Sequence, residues 1–360
     1  MRSRALLAAM AFGLIAAQAA GAAPTEQKYG YSPESFEIKF YLQPRYDYML
    51  SGDSADENGF SVRRARFYLT STIAPNVKGR LQVNAVPDKV ELLDAYLEWT
   101  PWKADYPVFS VTMGSFKKPF SYQEFVMPSS DLNMIDRTYV NGVLEKKLFA
   151  SAYDLGVMAT ADLWEVDVPV LLNLAVVNGT GAGYKADTNH GKQIVGRGEV
   201  TPLTGLTLGA NVAMNRLDVL EAASGDTTET GKSFAVWGGD VLFQRGKLQF
   251  VGEVLGGDDY AAVATPALAQ HHVDFEAATF LGVYGEAVYL TASGWQPGAR
   301  VERFDPNTDA DDDGRLLVTG QIAKVFSPNF RWQLNLVHTE YEAEGMDADD
   351  ALVTQWTVKL

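Results

Sequence analysis

The chain has 360 residues, 47% of them hydrophobic and 21% charged, which is too apolar for a disordered protein and leaves room for one large unit or two ordinary domains. Its formal charge of -15 sets nucleic acid aside as a partner, because neutralising phosphates takes a basic surface. The absence of cysteine excludes disulfide stapling and thiolate chemistry.

The first element is a leader. Arg2 and Arg4 precede an apolar run from Ala5 to Ala17, and Ala20 and Ala22 supply an A-x-A cleavage pattern. This is the pattern of a secretory signal peptide over residues 1–22, cut after Ala22, with 23–34 as a periplasmic segment before the folded part begins. The apolar run is about 15 residues, short of the roughly 20 that a spanning helix needs. No later window of comparable length lacks charges, so a helical membrane protein is excluded and export leaves a soluble protein or a barrel.

From residue 35 onward the chain alternates. Phe36, Ile38, Phe40, Leu42, Tyr46 and Tyr48 interleave with Glu37, Lys39, Tyr41, Gln43, Arg45 and Asp47, giving one greasy and one wet face. The same period predicts strands over 35–48, 60–73, 79–86, 90–99, 107–115, 153–162, 169–178, 192–201, 206–215, 233–243, 248–256, 278–290, 297–304, 315–325, 329–341 and 351–360, sixteen in all. Their lengths suit a tilted crossing of about 9 to 11 residues. Connections after even strands are short, as at Ala74-Pro75-Asn76 and Ser327-Pro328. Those after odd strands are mostly long and polar: 49–59, 116–152, 179–191, 216–232, 257–277, 305–314 and 342–350.

Turns on one side and loops on the other, with an even strand count, predict an all-β, transmembrane, antiparallel up-and-down barrel over 35–360. Hydrocarbon tolerates no unpaired backbone group, so the sheet must close on itself. A soluble all-β protein would also alternate, but with shorter strands and without the two-sided loop asymmetry. Tyr46, Tyr48, Trp99, Trp102, Phe326, Phe330 and Trp332 lie near strand ends and suit interfacial girdles.

Five segments then carry a resemblance. Ser61-Val62-Arg63-Arg64-Ala65-Arg66-Phe67-Tyr68-Leu69 resembles the R-R-A-R second strand of the phosphate-selective porin O and P family. Val90 to Trp99 looks like its fourth strand, and Gly114-Ser115-Phe116-Lys117-Lys118-Pro119-Phe120 like its G-x-F-K-x-P-F segment. Ser129-Ser130-Asp131-Leu132 with Ile135-Asp136-Arg137 resembles the following loop, and Ser327 to Asn335 the penultimate turn and strand. The resemblance implies a sixteen-stranded homotrimeric porin in the bacterial outer membrane, with its long third loop folded into the lumen and passing small hydrophilic solutes or phosphate-like anions. Lipid and lipopolysaccharide would be its other partners, and no cofactor is implied. The sequence departs from the family pattern in ending on Leu360, where such barrels usually end in Phe or Trp, and in its acidic loops, which bear on phosphate preference.

Selectivity in such a pore is set by the width and charge of a constriction. Segment 116–152 is the candidate, carrying Lys117, Lys118, Arg137, Lys146 and Lys147. Alternation turns Arg64, Arg66 and Tyr68 inward on the second strand, with Arg80, Gln82, Asn84, Asp94, Tyr96 and Glu98 inward on the third and fourth. The constriction residues expected are therefore Arg64, Arg66, Asp94, Glu98, Lys117, Lys118 and Arg137. Rows of arginine hold an oxyanion by forked hydrogen bonds; the alternative is that acids and bases simply pair to hold the third loop. Arg63 breaks the lipid-face pattern, as a contact for lipopolysaccharide phosphate, a subunit contact or a rim charge.

Other signals are weaker. Asp309, Asp311 and Asp313 begin an EF-hand-like run, but Gly320 stands where the bidentate Glu would be, leaving weak divalent binding at most. Gly179, Gly181 and Gly183 near Lys185 have no phosphate-loop context. The rival functions are a surface receptor or adhesin acting through its loops, and a barrel hydrolase. The four histidines, His190, His271, His272 and His338, present no oriented base beside a nucleophile and no complete metal ligand set, so no enzyme is expected.

Overall fold

The computed structural model describes residues 35–51, 58–86, 89–101, 108–145, 151–179, 191–223, 226–259 and 278–360. The expected leader (1–22), the segment 23–34, Trp102, Lys146, Lys147, Gly181, Gly183, Lys185, His190, His271 and His272 lie outside the described residues.

Sixteen antiparallel strands close into one barrel, each hydrogen-bonded to its neighbours in sequence and the last to the first. They are β1 (Ser35–Met49), β2 (Gly59–Ala74), β3 (Val77–Val86), β4 (Lys89–Trp99), β5 (Val108–Lys117), β6 (Tyr153–Leu163), β7 (Val170–Val177) and β8 (Gln193–Leu203). There follow β9 (Leu206–Ala223), β10 (Asp226–Arg245), β11 (Leu248–Asp259), β12 (Ala278–Tyr289), β13 (Trp295–Asp305), β14 (Arg315–Ser327), β15 (Phe330–Tyr341) and β16 (Asp349–Lys359). Closure runs through pairs such as Tyr41 with Lys359 and Tyr48 with Leu352. Leu360 completes it: its N–H donates to the Phe40 carbonyl at 2.8 Å and its carbonyl accepts from the Phe40 N–H at 2.9 Å.

The alternation is physical as well as sequential. On β7 the outward Leu172, Leu174 and Val176 are about half exposed, whereas Asn173, Ala175 and Val177 on the inner face are buried. On β14 Val318, Ile322 and Phe326 point out, with Thr319, Gln321 and Ala323 turned in. An apolar outer face over the whole ring is stable against hydrocarbon. Among the described residues no helix is long and apolar enough to cross a membrane, and the strands do the crossing. At the turn end, Phe326, Phe330 and Trp356 stack with ring centres 5.2 to 6.0 Å apart, forming part of the aromatic girdle.

Two expectations are corrected. The sequence predicts a loop over 216–232, but β9 and β10 run on through it and pair as far as Ala223 with Asp226. From Asp226 to Lys232 the sequence has no apolar residue, so the hydropathy period that marks a strand is missing while the ladder continues. Arg63 is not on the lipid face: a register shift at Gln43/Pro44 inserts one extra residue into β2, and Arg63 reaches Asp136 inside the barrel, with Nε 3.5 Å from the carboxylate. A bulge moves the following side chain to the other face, which is how adjacent arginines both come to face the lumen.

Candidate functional site

The third loop leaves β5 at Lys117 and enters the lumen. Its turn inward is made at Ser121, whose φ of 66° is unusual for a residue with a side chain. Ser121 is held there by its hydroxyl, whose Oγ lies 2.7 Å from Asn141 Oδ1 and 3.1 Å from Glu253 Oε2 so that the two oxygens share its one proton. A short π-helical segment (Ser121–Val126) follows, then an extended stretch, then one turn of helix, α1 (Tyr139–Val143).

One half of the lumen is dry. Phe120, Val140, Val143 and Leu144 of the loop pack on inward Val177, Val195, Val236, Leu255, Phe280 and Phe304. Tyr122, Met127 and Leu132 pack on Val251 and Tyr284. Each such side chain fully buried contributes roughly 1.5–3 kcal/mol. Wall carboxylates receive the loop's polar groups: Glu253 accepts from the Tyr122 N–H at 2.7 Å, Glu302 from the Tyr139 N–H at 2.6 Å, and Glu286 from Asn133 at 2.9 Å and Gln123 at 3.2 Å. Arg300 balances these acids, 3.0 Å from Glu302, and donates to the Asp136 carbonyl at 2.8 Å. On β15, Gln333 donates to the Asn133 carbonyl at 2.9 Å and Asn335 accepts from the Ile135 N–H at 2.8 Å.

The other half is polar and open. The loop meets the wall at Ser129, whose Oγ lies 2.8 Å from Tyr41 Oη and accepts from Arg66 at 2.9 Å. Toward the loop end lies a chamber of about 530 Å³ lined by Arg45, Asp47, Arg63, Arg64, Asp136, Arg137 and Glu145 among others. Toward the turn end lies an inner chamber of about 330 Å³ lined by residues including Arg66, Tyr68, Arg80, Asp94, Tyr96, Glu98, Lys117 and Phe125.

Most charges here are paired. Arg45 lies 2.6 Å from Asp136, Arg80 2.9 Å from Asp94, Lys117 3.0 Å from Glu124 and Arg137 2.6 Å from Glu124. Burial acts to raise the Asp136 carboxyl, but Arg45 and Arg63 outweigh it and hold it below the usual range. Arg64 and Arg66 differ. Arg64 is 4% exposed and donates to Gln43 Oε1 at 3.0 Å. Arg66 donates to Ser129 and, with the Gln82 amide turned to suit its neighbours, to Gln82 at 3.2 Å. Among the described residues neither guanidinium has a carboxylate at ion-pair distance.

The structure brings Arg64, Arg66, Asp94, Glu98, Lys117 and Arg137 onto the polar half, with Glu98 farthest toward the turn end, 4.0 Å from Lys78. Lys118 is set apart: it is 2% exposed, 3.8 Å from Asp154, and lines a small cavity behind the loop with Phe120, Leu144 and Ala152. Asp309, Asp311 and Asp313 lie on a surface loop, and among the described residues no three acids or histidines gather to hold a metal ion. His338 stands at the loop end with Nδ1 2.9 Å from Asp350, whose other oxygen accepts from Ser51 Oγ at 3.2 Å. The hydroxyl thus meets the acid and not the imidazole, so this group lacks a nucleophile paired with a base. Sequence reasoning missed Glu124, Glu253, Glu286, Arg300 and Glu302; an ionisable side chain on the inner face of the later strands was the signal available for four of them.

A closed sixteen-stranded barrel whose charged lumen is narrowed by an inserted loop has the architecture of a porin, an outer-membrane channel. Residues 38–236 match the family described as phosphate-selective porin O and P, and the chain belongs to that family, placing it in the bacterial outer membrane. No curated protein matches it. Among solved structures it is similar to an anion-selective porin from Comamonas acidovorans (9% identity, TM-score 0.64, covering 91% of this chain and 99% of that one). It is also similar to OmpF of Salmonella typhi in complex with daunomycin (11%, 0.62, 90% and 97%) and to OmpT of Vibrio cholerae in its trimer form (14%, 0.59, 91% and 99%). At these identities the likeness is one of fold.

Proposed function

We propose that this porin passes small hydrophilic solutes with a preference for anions, through an eyelet formed by Arg64 and Arg66 on the wall and Lys117 and Arg137 at the loop. The observation that carries the reading is the pair of inward guanidiniums, Arg64 and Arg66, neither of which has a carboxylate at ion-pair distance among the described residues. A buried cation without a counter-charge is costly until an anion supplies one, and forked N–H groups can hand an oxyanion along. The acidic total charge does not oppose this, because a pore selects by the charges at its narrowest part.

The reading extends to a leader removed after Ala22, a short periplasmic segment over 23–34, assembly as a homotrimer, and contact of the loop-end rim with lipopolysaccharide. The trimeric form of the Vibrio OmpT supports the assembly by analogy of fold. Reversal potentials in planar bilayers under a potassium chloride gradient test the channel. The wild type is expected to prefer chloride, and Arg66→Glu or Lys117→Glu to lower the chloride-to-potassium ratio about threefold or more, as a change of ~0.7 kcal/mol would. A potassium-preferring wild type, or ratios that the substitutions leave unmoved, would overturn the eyelet.

A further inference from the structure

The inner chamber is a poor match for a compact inorganic ion. Its cations lie against aromatic faces: Arg66 is 5.9 Å from the Tyr41 ring centre, Arg80 5.0 Å from Tyr68 and Lys117 5.8 Å from Tyr153. A guanidinium whose flat face is covered keeps its edge for hydrogen bonding, and the Nε of Arg66 has no partner. The same lining holds Asp94 and Glu98. It also holds Phe125, a half-buried ring on the loop that makes no ring contact among the described residues. A ring on the lining of this chamber offers a solute an apolar surface to lie against.

Hydrogen phosphate is strongly hydrated and charged all round, so here it would meet two like charges and shed water against apolar carbon. A monocarboxylate with a flat apolar body puts its charge at one end. It can fork onto a guanidinium edge while its body lies against Phe125 and the tyrosines. At about 330 Å³ the chamber falls within the ~300–1,000 Å³ of small-molecule sites. We infer that the inner chamber is a binding site for monovalent organic carboxylates with a flat apolar body, aromatic acids above all. This rests on the anion reading of the pore and names the anion.

The test measures block of the chloride current through the full-length protein in planar bilayers by benzoate, acetate and inorganic phosphate. Benzoate is expected to reach half-block at a concentration about tenfold or more below the other two. Phe125→Ala should shrink the benzoate-to-acetate ratio by about threefold to tenfold, and Phe125→Tyr, which keeps the ring, should retain it. Benzoate no better than acetate in a chloride-preferring wild type would end this inference and leave the anion reading standing, as would a ratio indifferent to Phe125→Ala. A wild type that prefers potassium would end both.

Discussion

Glu124 shows how single residues set the pore's charge. It receives both Lys117 and Arg137 at 3.0 and 2.6 Å, so two of the cations facing the solute are partly spent on one acid. Burial acts to raise its carboxyl, but Arg137 and Lys117 outweigh it and hold it at about 2, against an ordinary 4.5. A carboxyl depressed by folding contributes stability that is complete above about 4.5 and is lost as pH falls toward about 2. Acidification through that window is therefore expected to loosen the loop, read as rising open-channel noise. Glu124→Gln should abolish that acid-dependent rise and, at neutral pH, shift the reversal potential further toward chloride. A shift toward potassium would contradict the assignment. Arg64 and Arg66 were legible as lumen residues from alternation, and Lys117 and Arg137 from the resemblance of the two segments that carry them; Glu124, the acid that pairs with Lys117 and Arg137, was not, since it lies on a loop without a period.

At the scale of elements, the third loop is held by groups on the wall facing it. Glu253 accepts from the Tyr122 N–H and lies 3.1 Å from the Ser121 hydroxyl, which it shares with Asn141, and it helps to keep Ser121 at positive φ. Glu253→Ala would strand the Tyr122 N–H in a buried place, at a cost of about 1–3 kcal/mol. Urea titration in lipid vesicles should show that loss, with noisier single channels. Unchanged stability and noise would detach this acid from the loop. The length of the loop was plain in the sequence, and its inward fold was implied by resemblance alone. A further sign was nonetheless present: Val195, Val236, Leu255 and Phe280 are apolar on the face that should be wet. Apolar side chains on a lumen face mark where something dry is docked, and on several adjacent strands they outline the loop's footprint. The β9–β10 hairpin was missed at its far end because the sequence from Asp226 to Lys232 has no apolar residue and so no period.

At the scale of the whole molecule, the barrel separates a lipid face from a lumen face by alternation, so two substitutions of the same chemistry should have unlike effects. Leu336, half-way along β15 and 50% exposed on the outer face, becomes costly as Arg, by about 2–4 kcal/mol if it lies near the bilayer midplane. Ser110→Arg, on the inner chamber, should leave the unfolding free energy nearly unchanged in the same vesicle titration and alter conductance. Equal losses at both sites would mean that the two faces had been misassigned.

Strand number, strand face and the division into turn end and loop end were all legible from residue order, because a backbone that must leave no unpaired group in hydrocarbon has few arrangements, and a side-chain period of two reports which face is which. Folding in three dimensions settled where the lumen is closed and where it stays open. That outcome depended on contacts between residues more than a hundred positions apart, such as Glu253 with Ser121 and Arg300 with Asp136. It depended too on one bulge that turned Arg63 inward. Periodicity is a property of neighbours along the chain; a constriction is made by residues that become neighbours only when the ring has shut.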